Sequence, residues 1–304
     1  MSKWTSSDIP VQKGRSVVIT GAGGLGYETA VALARARAEV ILAGRNATRG
    51  AAAVARIRSV NPSAQVRFEL LDLASLRSIA EFGERLRAER AGLDLLVNNA
   101  GVMVPPSRLE TADGFELQLG TNYLGHFALT AHLMPLLRNG TGARVVTLSS
   151  VAARSGAIDF DDLNAKRDYK PMPVYAQSKL ACLMFALEFH RRSLGGGWGV
   201  QSIAAHPGIA RTDLLHNAPG RRSVVGLTRS LLWFLFQPAW RGALPTLYAA
   251  ASPDAHGGGY YGPDRFGETR GYPTLARLPE QATDEAAAAR LWRMSEELTG
   301  VSPR

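Results

Sequence analysis

Short runs of β-branched and aliphatic residues recur along the chain, and a helical stretch follows almost every one of them. Arg15–Thr20, Glu39–Ala43, Gln65–Leu70, Leu93–Asn98, Ala143–Ser149 and Val200–Ala205 read as strands. Glu28–Arg37, Ala47–Ser59, Ser75–Arg90, about Ala112–Arg138 and about Val174–Leu194 read as helices. Strands that are apolar on both faces and separated by helices predict a parallel sheet covered on both sides. Right-handed crossovers make such a sheet doubly wound. Its ligands sit beyond the carboxyl ends of the strands, at the point where strand order reverses. The residues just after each strand are therefore the ones to inspect.

After the first strand comes Thr20-Gly21-Ala22-Gly23-Gly24-Leu25-Gly26, in which Gly21, Gly23 and Gly26 satisfy GxGxxG. The motif alone is weak, but here it follows a strand and opens a helix. In that setting glycines let the backbone approach a pyrophosphate, and the helix amino terminus favours its negative charge. The second strand ends at Ala43-Gly44-Arg45. A carboxylate there would bind the ribose hydroxyls of NAD; Arg45 instead suits a 2′-phosphate, so NADP(H) is expected over NAD(H). Asp72-Leu73 follows the third strand, where Asp72 either meets the adenine or caps the next helix. Asn98-Asn99-Ala100-Gly101 closes the fourth with small residues.

Tyr175 and Lys179 are spaced i and i+4 and share a helix face. A phenol, with a reference pKa of about 10, is a weak base at neutral pH, and a neighbouring ammonium favours its ionised form. Tyr–x–x–x–Lys is a common accident, so the surrounding residues decide. Ser149-Ser150 follow the fifth strand on the same edge as the glycine loop. Asn122 lies within a helical stretch that its propensity does not favour, which points to a tertiary role. His206-Pro207-Gly208-Ile209-Ala210-Arg211-Thr212 makes another tight turn after the sixth strand.

Taken together, the TGAGGLG loop, NNAG at 98–101, Asn122, Ser150, Tyr175, Lys179 and the HPGIART turn resemble the short-chain dehydrogenase/reductase family over nearly the whole chain. The resemblance implies a single-domain Rossmann fold over residues 1–304, with about seven parallel strands and a small helical lid at about 213–240. It implies a catalytic tetrad of Asn122, Ser150, Tyr175 and Lys179. Asn122 would hold a kinked helix and a relay water, Ser150 would orient the substrate, Tyr175 would be the acid–base and Lys179 would also bind the nicotinamide ribose. Gly21, Gly23, Gly24, Leu25, Gly26, Arg45, Asp72, Leu73, Asn99, Ala100 and Gly101 would contact the cofactor. Thr212 would touch the carboxamide, with Pro207, Gly208 and Ile209 lining the ring. TNYLGHF, the insert Ile158–Pro173 and the ending LWRMSEELTG are similar to retinol dehydrogenases and protochlorophyllide reductases. The family commonly pairs through its two long helices, so a homodimer or homotetramer is expected.

The glycine loop is one residue shorter than the family's usual TGxxxGxG. Its closure is expected to rely on Gly23 adopting unusual dihedrals, and the shortening bears on cofactor affinity. It is the one feature that favours the alternative of a non-catalytic NADP(H)-binding sensor or scaffold on the same fold.

Leu214–Trp240 falls where the family carries its lid and is rich in Leu231, Leu232, Trp233, Phe234, Phe236 and Trp240. A pocket so lined suits a hydrophobic carbonyl or alcohol, although the stripe could equally pack on the body or, flanked by Arg221, Arg222, Arg229 and Arg241, meet a membrane surface. The net charge of +9 is spread over many segments, which fits a basic surface and a phosphate-bearing cofactor better than a nucleic-acid interface. The polar amino terminus reads as no signal peptide, and no apolar run reaches the ~20 residues of a transmembrane helix. One cysteine, Cys182, excludes an internal disulfide and fits a cytoplasmic location. The six histidines show no metal-ligand spacing, and none of the site is expected to hold a metal.

Overall fold

A computed structural model of the chain describes residues 3–211 and 236–303. Thr212 and most of the expected lid, 213–235, lie outside the described residues. Six parallel strands appear where the apolar runs predict, the first five being β1 (Ser16–Thr20), β2 (Glu39–Gly44), β3 (Val66–Leu70), β4 (Leu95–Asn98) and β5 (Arg144–Leu148). β6 (Gln201–Ala205), β7 (Tyr260–Arg265) and β8 (Arg270–Leu275) complete one sheet in the order β3-β2-β1-β4-β5-β6-β7-β8. The order reverses between β1 and β4, and the carboxyl ends of these two strands define the switch point.

Alternate residues of each strand feed two separate cores, as the two-residue side-chain period requires. Val17, Ile19, Val40, Leu42 and Val97 face α1 (Gly24–Arg35) and α2 (Ala47–Val60). Val18, Ile41, Leu96 and Val145 face α3 (Leu76–Glu89), α4 (Gly125–Arg138) and α5 (Pro171–Gly196). Helices α6 (Ala239–Gly242) and α7 (Leu244–Ala251) lie on the first face, and α8 (Glu285–Thr299) on the second.

Two differences from the sequence reading have physical causes. The sheet has eight strands among the described residues rather than about seven, because β7 and β8 form an antiparallel hairpin. Its prolines hide it from pattern reading, since proline is confined to edges and bulges: Pro273 lies on the edge strand β8, and Pro263 at a register shift in β7. The long helix begins at Leu119 rather than near Ala112. The Thr111 hydroxyl accepts the Asp113 and Phe115 N–H groups, and the Glu116 carboxylate accepts from Leu119 N, so the chain turns before the helix starts. That helix opens as a π-helical segment, Leu119–Leu124.

The pair of long helices is partly covered within the chain. From Val174 to Phe189 no residue of α5 is exposed. Helix α8 packs on it, and Trp292 stacks on Phe185 with ring centroids 5.8 Å apart and meets Phe127 edge-on at 5.1 Å. This aromatic cluster of the helix pair is thus covered by the chain's own last helix. Among the described residues, no helix is long and apolar enough to cross a membrane.

Candidate active site

The sheet brings the ends of β1, β2, β3, β4, β5 and β6 to one cleft of about 980 Å³. At its floor lies the glycine loop. Gly21 (φ +88°) and Gly24 (φ +49°) take the left-handed conformations that close the shortened loop. Gly23 does not: its φ of −125° is ordinary extended backbone. It is the N-cap of α1 and has no side chain to cap the first-turn N–H groups, which leaves them to serve an anion. A Cβ at Gly26 would lie 2.1 Å from the Gly21 carbonyl oxygen and 2.6 Å from Asn99 Nδ2. Gly26 therefore sits behind the loop, permitting close packing, while Gly21, Gly23, Gly24 and Leu25 line the cleft.

Arg45 lines the cleft at the end of β2 as expected, and Arg49 joins it. Asn46 caps α2 by accepting from Arg49 N, which sets Arg49 in the helix's first turn. Asp72 and Leu73 line the same end. Asp72 is not the helix cap: Ser75 caps α3, and the Asp72 carboxylate accepts the Ala74 N–H. Asn99, Ala100 and Gly101 form the middle wall. The Thr20 hydroxyl accepts the N–H groups of both Asn99 and Ala100, and the Asn99 amide donates to Thr20 O, so the β1 and β4 loops are tied together.

Tyr175, Lys179, Ser149 and Ser150 line the far end with Pro207, Gly208 and Ile209. Ser150 caps the 3₁₀ turn Val151–Ser155. Ser149 points inward and donates to Lys179 O. Lys179 is 95% buried; its Nζ donates to Leu148 O at 3.1 Å, which holds the ammonium at the end of β5. Gly101 leaves room beside it, since a Cβ there would lie 3.6 Å from Lys179 Nζ and 3.0 Å from Asn122 Oδ1.

Asn122 does not line the cleft. It is fully buried in the π-helical segment. Its Oδ1 accepts from Val102 N (2.8 Å) and its Nδ2 donates to Val102 O and Ser178 Oγ (both 3.0 Å). Its carbonyl accepts from His126 Nδ1 and Cys182 Sγ. Burial pushes His126 down to about 4, so the ring is neutral. A carbonyl can only accept, so Nδ1 carries the proton, and Nε2 accepts from the Thr20 hydroxyl at 2.9 Å. Thr20 and His126 thus link the glycine loop, the Asn99–Ala100 wall and the π segment. Neither was singled out as a site residue from the sequence, and Arg49 was missed likewise. For Arg49 the signal was present: an arginine in the first turn after Arg45, beside a capping Asn.

Met103, Pro105, Pro106, Leu117 and Met172 give the cleft an apolar outer wall. Among the described residues no group of three or more His, Cys, Asp or Glu is placed to hold a metal.

Residues 15–222 match the family described as short chain dehydrogenase. The chain belongs to that family. It is 41% identical to polyprenol dehydrogenase of Mus musculus over 96% of this chain and 86% of that protein. It is 39% identical to retinol dehydrogenase 13 of Homo sapiens over 95% of this chain and 85% of that protein. The crystal structure of an uncharacterized protein from Mycobacterium paratuberculosis superposes with a TM-score of 0.81, at 39% identity and full coverage of both chains. The protein is a short chain dehydrogenase of the retinol dehydrogenase-like group, an oxidoreductase acting between alcohols and carbonyls.

Proposed function

We propose that the chain is an NADP(H)-dependent enzyme that interconverts a hydrophobic alcohol and its carbonyl, with Tyr175 as the acid–base. The observation that carries this reading is the single cleft that holds the glycine loop and Arg45 at one end and Ser150, Tyr175 and Lys179 at the other. The residues fit a dinucleotide. The uncapped α1 amino terminus suits its diphosphate, and the packing of Gly26 on Gly21 lets the backbone come close. Arg45 and Arg49 would flank a 2′-phosphate. Lys179 would hold the nicotinamide ribose.

A bound nicotinamide cofactor would supply or accept the hydride. The protein's own groups handle the proton. In reduction the Tyr175 hydroxyl gives its proton to the substrate oxygen, and in oxidation it takes one back. Lys179, one helical turn away, stabilises negative charge on the phenol oxygen in either direction. Ser150 donates to the substrate oxygen and fixes its distance from Tyr175. Asn122 acts from behind the cleft by holding the π segment to Val102 and Ser178. The apolar outer wall, together with the long apolar alcohols named for the polyprenol and retinol relatives, supports a hydrophobic substrate.

Cofactor choice is tested by kcat/KM for NADPH and NADH in wild type and Arg45→Ala. Wild type is expected to prefer NADPH. Loss of a charge-assisted contact should lower kcat/KM for NADPH by roughly 10- to 100-fold and leave NADH nearly unchanged. A wild type that prefers NADH contradicts the assignment.

A further inference from the structure

The turn after β6 rests on the tip of the β7–β8 hairpin, and the chemistry proposed above makes no use of that contact. The Ile209 N–H donates to Thr269 O at 2.8 Å, and a Cβ on Gly208 (φ +63°) would lie 2.3 Å from the same oxygen. The tip itself is unusual. Phe266, Gly267 and Glu268 are three consecutive residues with positive φ, at +51°, +63° and +66°. Two of them carry side chains, and such backbone persists only where surrounding contacts hold it.

Those contacts converge on Glu268. Its Oε2 lies 2.9 Å from His206 Nε2 and 2.5 Å from Arg154 Nη2, and its Oε1 accepts the Arg277 N–H at 3.0 Å. Arg154 also donates to Gly267 O. His206 is fully buried, and its Nδ1 faces the Gly208 N–H at 3.2 Å. A backbone N–H can only donate, so Nδ1 is the bare nitrogen and Nε2–H donates to the carboxylate. Glu268 thereby fixes the His206 tautomer that accepts from the cleft-lining turn. Arg154 belongs to the 3₁₀ turn capped by Ser150, so the same carboxylate ties the serine segment to the turn at Gly208.

We propose that Glu268 is a positioning residue for the nicotinamide half of the cofactor. It sets the Pro207–Ile209 turn through His206 and aligns that turn with the Ser150 segment through Arg154. The proposal rests on the cofactor reading given above. Glu268 touches neither substrate nor cofactor; its effect passes through His206 and the turn. Removing it leaves the His206 ring free to take the other tautomer, whose Nδ1–H opposes the Gly208 N–H. The adenosine end, built from Arg45, Arg49 and Asp72 on the other side of the switch point, is left untouched.

The test compares two ligands by calorimetric titration of the full chain: NADPH, and 2′-phospho-ADP-ribose, which lacks the nicotinamide. Glu268→Ala is expected to weaken NADPH binding by roughly 10- to 100-fold, the range for a lost charged hydrogen bond, while 2′-phospho-ADP-ribose binds as in wild type. Arg154→Met removes the ion pair and the bond to Gly267 O but keeps the Glu268–His206 contact, and should give a smaller loss in the same direction. It decides the matter if Glu268→Ala does not fold. Equal weakening of both ligands, or unchanged NADPH affinity, overturns the positioning role. A wild type that binds neither ligand instead overturns the cofactor reading on which the proposal stands.

Discussion

His126 lies between the Thr20 hydroxyl and the Asn122 carbonyl, fully buried, and has to stay neutral there. Burial is the main cause, and the nearby Lys179 ammonium adds to it. The ring protonates near pH 6.5 in the unfolded chain but only near pH 4 in the folded one. Its contribution to stability is therefore complete above pH 6.5, falls as the unfolded chain takes up a proton, and is lost by about pH 4. The loss across that window is on the order of 3 kcal/mol. Urea unfolding of wild type and His126→Gln at a series of pH values should show a shallower acid decline in the variant; parallel curves contradict the buried neutral imidazole. Tyr175, Lys179 and Ser150 were legible in the sequence because each follows a strand or shares a helix turn with its partner. Thr20 and His126 were not, because 106 residues separate two side chains that only the fold brings together. Asn122 was legible as an oddity, a poor helix former in a helical stretch, but not as a residue behind the cleft rather than in it.

At the scale of elements, the glycine loop shows that a shortened motif still closes when the strain moves. The unusual dihedrals fall on Gly21 and Gly24, while Gly23 is free to cap the helix. Gly26 is the position with no room at all. Gly26→Ala would force its methyl to within 2.1 Å of backbone at Gly21, so the loop must open. The variant should bind NADPH at least roughly 10-fold more weakly, a change of about 1.4 kcal/mol or more, and melt at lower temperature than wild type. Fluorescence titration with NADPH and thermal unfolding measure both, and a variant equal to wild type in both contradicts the packing role. The elements that pattern reading caught were the strands β1 to β6, which are apolar on both faces. The hairpin β7–β8 escaped because two prolines and a turn with three left-handed residues interrupt it. The false start of the long helix at Ala112 has a similar cause: local side-chain caps from Thr111 and Glu116 overrode the composition.

Across the whole molecule, strand order does most of the work of assembly. Reversal between β1 and β4 puts a phosphate-suited floor, two arginines and the Tyr175–Lys179 helix around one opening, although their residues span positions 21 to 179. The last helix covers the aromatic cluster of α4 and α5 with Trp292. The most direct test of the account is NADPH-dependent reduction of a long apolar aldehyde such as retinal by wild type and Tyr175→Phe, with NADPH affinity measured on the same samples. Acid–base help of this kind is worth roughly 10²- to 10⁴-fold, so the variant should bind NADPH as wild type does and lose turnover by that factor. Turnover that survives in Tyr175→Phe at the wild-type rate would contradict the account.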